Sequence, residues 1–152
     1  TYANAVLAEA MIATGVALDD PALRQRGLDL LEWLLTIETF DGHLSPTPDG
    51  GRGPGDAQPA FDQQPIEVAS IADACARAAT TDPRALWPEA VVSAAAWFQG
   101  DNDVELPMWD PQTGGGFDGL HADRVNLNQG AESTLAVIST MQQARRFSPV
   151  PQ

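Results

Sequence analysis

Two stretches of this chain open in the same way, and that repetition limits what it can fold into. Gln63-Gln64-Pro65-Ile66-Glu67 closes a segment rich in glycine and proline and starts an apolar helical pattern. Asn126-Leu127-Asn128-Gln129-Gly130-Ala131-Glu132-Ser133-Thr134 does the same after a second such segment. In each, a pair of amides is followed by a glutamate three residues beyond its second member. Asp19-Asp20-Pro21 and Thr81-Asp82-Pro83 are also alike and read as tight turns, about 62 residues apart from Pro21 to Pro83. The order is therefore helix, Asp-Pro turn, helix, long loop, and then again. Repetition on this scale means stacked helical hairpins.

Helical spacing of apolar residues runs from 2 to about 18, through Tyr2, Val6, Leu7, Met11 and Val16. Asp20 stands at the N-cap of a second helix with Pro21 at its first position. That helix reaches about Ile37 with Leu23, Gly27, Leu30, Leu31, Leu34 and Leu35 on one stripe and Trp33 beside it. A third helix runs from Gln64-Pro65 to about Ala79, and a fourth ends near Phe98 with Trp87 and Trp97, which together with Trp33 are expected in the core. A fifth spans about Asn128 to Arg146, before the proline-rich tail Ser148-Pro149-Val150-Pro151. The segments 38–62 and 100–127 are long irregular loops, with no strand expected beyond short hairpins. Antiparallel hairpins put both Asp-Pro turns at one end and both long loops at the other, where a site belongs. The expected fold is all-α, one helical domain over 1–152, and a fragment of a larger assembly or a processed chain, since Thr1 is not a methionine and the start already reads as helical.

A formal charge of -13 and a pI near 4.2 set this chain against phosphate backbones and anionic membrane surfaces. Nucleic acid and membrane are not expected partners, and a cytoplasmic location is. The single cysteine, Cys75, lies in an alanine-rich run and reads as a small buried hydrophobe.

The acids and amides of the loop-rich end carry the candidate chemistry. Reactions that break or form glycosidic bonds need two carboxyl groups facing one cleft, and Glu67 and Glu132 open neighbouring helices in equivalent places. The competing reading is a capping box, each glutamate bonding back to an amide N-cap. Gln63, Gln64, Asn128 and Gln129 offer donor and acceptor together, as sugar hydroxyls require, or they tie loops to helix ends. Asp118, in Thr113-Gly114-Gly115-Gly116-Phe117-Asp118-Gly119-Leu120, suits a sugar hydroxyl or an ordinary turn. Asp101 and Asp103 begin like a calcium loop, but Leu106 stands where glycine should and Gln112 where the closing glutamate should. They read as solvated acids or as cavity lining. Trp109 is the aromatic placed for stacking on a sugar ring. His43 and His121 sit in separate loops and give no zinc spacing, so no metal and no cofactor are expected.

Hairpins with long loops gathered at one end resemble the (α/α) toroid of six-hairpin glycosidases. The phrases Trp97-Phe98-Gln99-Gly100-Asp101-Asn102-Asp103, Thr113 to Leu120 and Asn126 to Thr134 are similar to a bacterial group of such domains, found in chains described as glycosyltransferases. The resemblance covers nearly the whole chain and implies carbohydrate handling, with a saccharide or a sugar-nucleotide-linked substrate. It carries over no catalytic residues. Five helices make two and a half hairpins of six, so the partner expected is the rest of a toroid or a second copy. Two readings result: a segment of a glycosidase- or glycosyltransferase-like enzyme using Glu67, Asp118 and Glu132, or a non-catalytic helical glycan-binding or interaction module. A terpenoid-cyclase type of toroid is disfavoured by the missing zinc set and by 7% aromatic content.

Overall fold

The computed structural model describes residues 2–147. Among them are five helices, α1 (Ala5–Ala17), α2 (Pro21–Ile37), α3 (Pro65–Ala78), α4 (Leu86–Phe98) and α5 (Ala131–Arg145). Two antiparallel ribbons lie in the loops, β1 (Thr39–Phe40) with β2 (His43–Leu44), and β3 (Gly119–Leu120) with β4 (Val125–Asn126). The protein is mostly helical, as the periodicity requires.

α1 and α2 form the first hairpin, and two glycines set how close they come. A Cβ on Gly15 would sit 2.5 Å from the Arg24 nitrogen, and one on Gly27 would sit 2.8 Å from Ile12 Cγ1. These pairings run in opposite directions along the two helices. Asp20 starts α2 as its sequence predicts, accepting from the Ala22 and Leu23 amides at 3.0 and 2.9 Å.

α3 is the centre. Its sequence is small on every side, with Ala69, Ser70, Ala72, Ala74, Cys75 and Ala76 all buried, so helices can approach from several directions at once. α1 packs on one flank, α5 on another, and α4 folds back along it; α4 also touches α5, and α2 backs α1. Polar pairs join the row sideways. Glu9 on α1 lies 3.6 Å from Arg77 on α3, and Asp73 on α3 accepts from Ser139 and Gln143 on α5 at 3.2 and 2.8 Å. α4 brings the bulk: Trp87, Trp97 and Phe98 are fully buried, and Trp97 meets Phe98 edge to face at 5.1 Å. A side chain of that size is worth about 1.5–3 kcal/mol when buried. Cys75 is buried too, and burial pushes its thiol up to about 12.

The loops meet at the end where α1, α3 and α5 begin. Gln63 and Leu120 exchange backbone hydrogen bonds at 2.9 Å in each direction, joining the first long loop to the second. The turns occupy the other end, where Arg84 reaches Asp82 and Glu32, each at 2.7 Å.

Two expectations change. Trp33 is 56% exposed, because it points away from the stripe that α2 turns toward α1. α5 starts at Ala131 rather than Asn128, since Asn126 belongs to a strand and Gly130 is extended. The second Asp-Pro turn differs from the first in its detail: Asp82 accepts from the Arg84 amide at 3.1 Å, and the N-cap of α4 is Ala85. The proline-rich tail lies outside the described residues.

Because Gly15 is packed against backbone, Gly15→Ala should destabilise the protein by about 1–3 kcal/mol through overpacking. Helix propensity alone would give a gain of about 1 kcal/mol. The shift of the urea midpoint decides between the two signs.

Candidate functional site

The site is built where three helices start side by side. Glu67 occupies the third position of α3 and is only 3% exposed. Its Oε2 accepts from the Asn4 amide at the start of α1, 2.9 Å away, and Oε1 is buried with no hydrogen-bond partner among the described residues. Glu132 occupies the second position of α5 and is exposed; its Oε2 accepts from the Tyr2 hydroxyl. The segment Tyr2–Asn4 thus bridges the two glutamates. The hydrogen bond to Glu132 raises the Tyr2 pKa, and the charges of Glu132 and Glu67 add to it, so the phenol keeps its proton and stays a donor.

A capping box accounts for neither glutamate. Gln64 is the N-cap of α3, and no side-chain hydrogen bond caps that helix; Gly130, which has no side chain, is the N-cap of α5. The two openings are also one position out of register, third against second. Glu67 is held instead by a neighbouring helix.

A third acid joins this end of the molecule. Glu38, which follows α2, is 1% exposed and accepts the Thr47 amide on Oε2 and the Thr47 hydroxyl on Oε1, both at 2.5 Å. Burial raises its pKa, the Thr47 bonds and Arg52 oppose the rise, and Glu67 adds to it. Arg52 donates to the Ile37 carbonyl at the end of α2, and its Nη1 is buried without a partner among the described residues. Sequence patterning passed over Glu38 because it adjoins a loop rather than an amphipathic stripe. Only its loss of solvent marks it.

The other candidates divide by what their side chains already touch. Gln63 is fully buried: Nε2 donates to Asp103 at 2.5 Å and to the Ala60 carbonyl at 3.2 Å, and Oε1 accepts from Trp97 at 3.3 Å. The Asp103 side chain is 1% exposed and lies 2.9 Å from His43 Nε2. Gln63 and Asp103 therefore work as buried links between the loops and α4, and neither presents itself to a ligand in this structure. His121 and Asp62 make a second pair across the loops, 2.5 Å apart and partly exposed.

Asp118 Oδ1 accepts from the Gly130 amide and the Ser133 hydroxyl, both at 2.7 Å, and so carries the start of α5 from a distant loop. Gln129 donates to Asp110 at 3.1 Å and accepts from Thr113 at 2.7 Å. Asn128 and Asp101 are exposed, and Gln64 is half-buried. Trp109 is half-buried and lines a groove between α4 and α5. Asn102, in the turn that follows α4, is buried and donates to the Trp97 and Leu106 carbonyls at 2.8 Å each. Among the described residues, no three His, Cys, Asp or Glu side chains gather as a metal ion would need.

Glu132 and the Tyr2 phenol are exposed together, and Glu67 lies buried behind them with one oxygen that has no partner among the described residues. The pair offers acceptors and one donor over a surface on which no cation contacts either glutamate among the described ion pairs.

Substitutions at Asp118 and Glu38 separate the structural acids from these. Asp118→Ala should cost about 1–2 kcal/mol, the usual loss for a helix cap, read from thermal unfolding. Glu38 sets a pH dependence with a definite sign. Its folded pKa lies above the unfolded one, so its contribution is full at low pH and is lost as pH rises through the raised value. Glu38→Gln keeps an acceptor for the Thr47 amide and should flatten that fall. Glu38→Ala leaves the amide unpaired and should cost about 1–3 kcal/mol at every pH. Urea titrations at several pH values test both. No protein-family model matches this chain, and no curated protein matches it either.

Proposed function

We propose that this chain is a carbohydrate-active helical domain, part of a glycosidase- or glycosyltransferase-like protein. Its saccharide site lies at the end where α1, α3 and α5 begin. One observation carries the reading: Glu67 and Glu132, from two different helices, both reach the segment Tyr2–Asn4, so two carboxylates and a phenol share one small region. Sugar hydroxyls donate and accept, and carboxylates are their strongest acceptors. Two carboxylates in different surroundings, one buried and one exposed, are also the minimum for acid–base work on a glycosidic bond. Glu67 and Glu132 are the residues assigned to that chemistry, Tyr2 is a hydroxyl partner, and Gln64 and Asn128, which precede α3 and α5 in the chain, are assigned to further hydroxyl contacts. The alternation of hairpins, with one set of helices in a row and the other behind it, supports reading the chain as part of an (α/α) toroid.

The engagement of Asp118 with α5 favours a second reading, a module that binds glycan without turning it over. It leaves two acids where the sequence reading counted three.

Calorimetric titration with a panel of neutral mono- and disaccharides tests the proposal. Binding to the wild-type chain should weaken at least tenfold in Glu132→Gln, about 1.4 kcal/mol, and in Glu67→Gln, with circular dichroism confirming the fold. Unchanged binding in both variants, or no binding of any sugar, would overturn it. Binding with no glycoside cleavage or transfer in the same samples assigns the module reading.

A further inference from the structure

Three helices lie side by side in this protein, and two of them have a helix folded back behind them. α2 follows and backs α1, and α4 follows and backs α3 while also touching α5. Behind α5, beside α4, there is an open groove of about 630 Å³. Val92 and Ala95 of α4 and Val137, Ile138 and Met141 of α5 line it, and among the described residues Arg145 is the only charged one that does. Leu135 is 65% exposed, Ile138 45% and Val92 44%, a concentration of apolar surface that soluble proteins normally cover. The exposed residues Ala131, Leu135, Ile138, Gln142 and Arg145 are spaced four, three, four and three apart, the spacing of a seam that receives another helix.

We propose that this groove is the docking site of an amphipathic α-helix that runs antiparallel to α5, as α4 runs to α3. The occupant brings an apolar stripe against Val92, Ile138 and Met141. An antiparallel helix places its N-terminus beside the C-terminal end of α5, where Arg145 stands. Acidic residues in an N-terminal turn are favoured by the occupant's own dipole and meet Arg145 there. This inference is independent of the saccharide reading.

The chain supplies a probe with the required chemistry. Residues 19–38 comprise α2 with Asp19 and Asp20 at its start and the leucine stripe that covers α1. A labelled peptide of that sequence, titrated with the wild-type protein by fluorescence anisotropy, should bind saturably in the micromolar range. Ile138→Glu, at an exposed position that leaves the core intact, should weaken binding at least tenfold. Arg145→Glu should weaken it severalfold, and a peptide with Asp19 and Asp20 changed to Lys should recover the loss. No saturable binding to the folded wild-type protein would overturn the proposal, as would binding indifferent to Ile138→Glu. A dimer of the chain alone in sedimentation, abolished by Ile138→Glu, would also overturn it by giving the groove to a second copy.

Discussion

The smallness of α3 is the constraint on which the other helices depend. A helix with Ala69, Ala72, Ala74, Cys75 and Ala76 buried presents no large side chain of its own for a neighbour to avoid at these positions. α1, α4 and α5 can therefore all pack against it, and their larger residues fill the space between. Each hairpin returns the chain, so α1, α3 and α5 begin at the same end of the molecule. The neighbouring starts of α1, α3 and α5 are what bring Asn4 to Glu67 and Tyr2 to Glu132.

The loops at that end are long, yet they are held by buried polar groups. Trp97, Gln63, Asp103 and His43 form a chain of contacts running from α4 through both loops, and Asn102 braces the turn that follows α4. Buried polar groups of this kind must be paired, because an unpaired one costs about 1–3 kcal/mol. The pairing sorts the acids. Glu38, Asp103 and Asp118 spend their oxygens on loop and helix starts, whereas Glu67 retains an oxygen without a partner and Glu132 faces solvent. The proposed saccharide site is built on these last two acids, each of which spends one oxygen on the segment Tyr2–Asn4.

The hairpin plan was legible in the residues. Asp20-Pro21 is a helix start whatever surrounds it, and the glycine- and proline-rich segments cannot continue a helix. The gathering of the loops at one end follows from those two facts. Register was harder to read. Asn128-Gln129 looks like an N-cap by analogy with Gln64, yet a β-ribbon extends to Asn126 and delays α5 until Ala131. Trp33 reads as core by its size, yet it lies off the stripe of leucines that α2 buries, and it is exposed.

The sequence by itself determined the helices, their antiparallel pairing and the end at which polar residues collect. These depend on local preferences and on hydrophobic period, which neighbouring residues carry between them. Tertiary structure alone decided which polar residue is buried and which is free. Gln63 and Gln64 are adjacent and chemically identical, but one is sealed between a loop and Trp97 and the other is half open to solvent. Burial is a property of what packs from elsewhere in the chain, and no local pattern contains it.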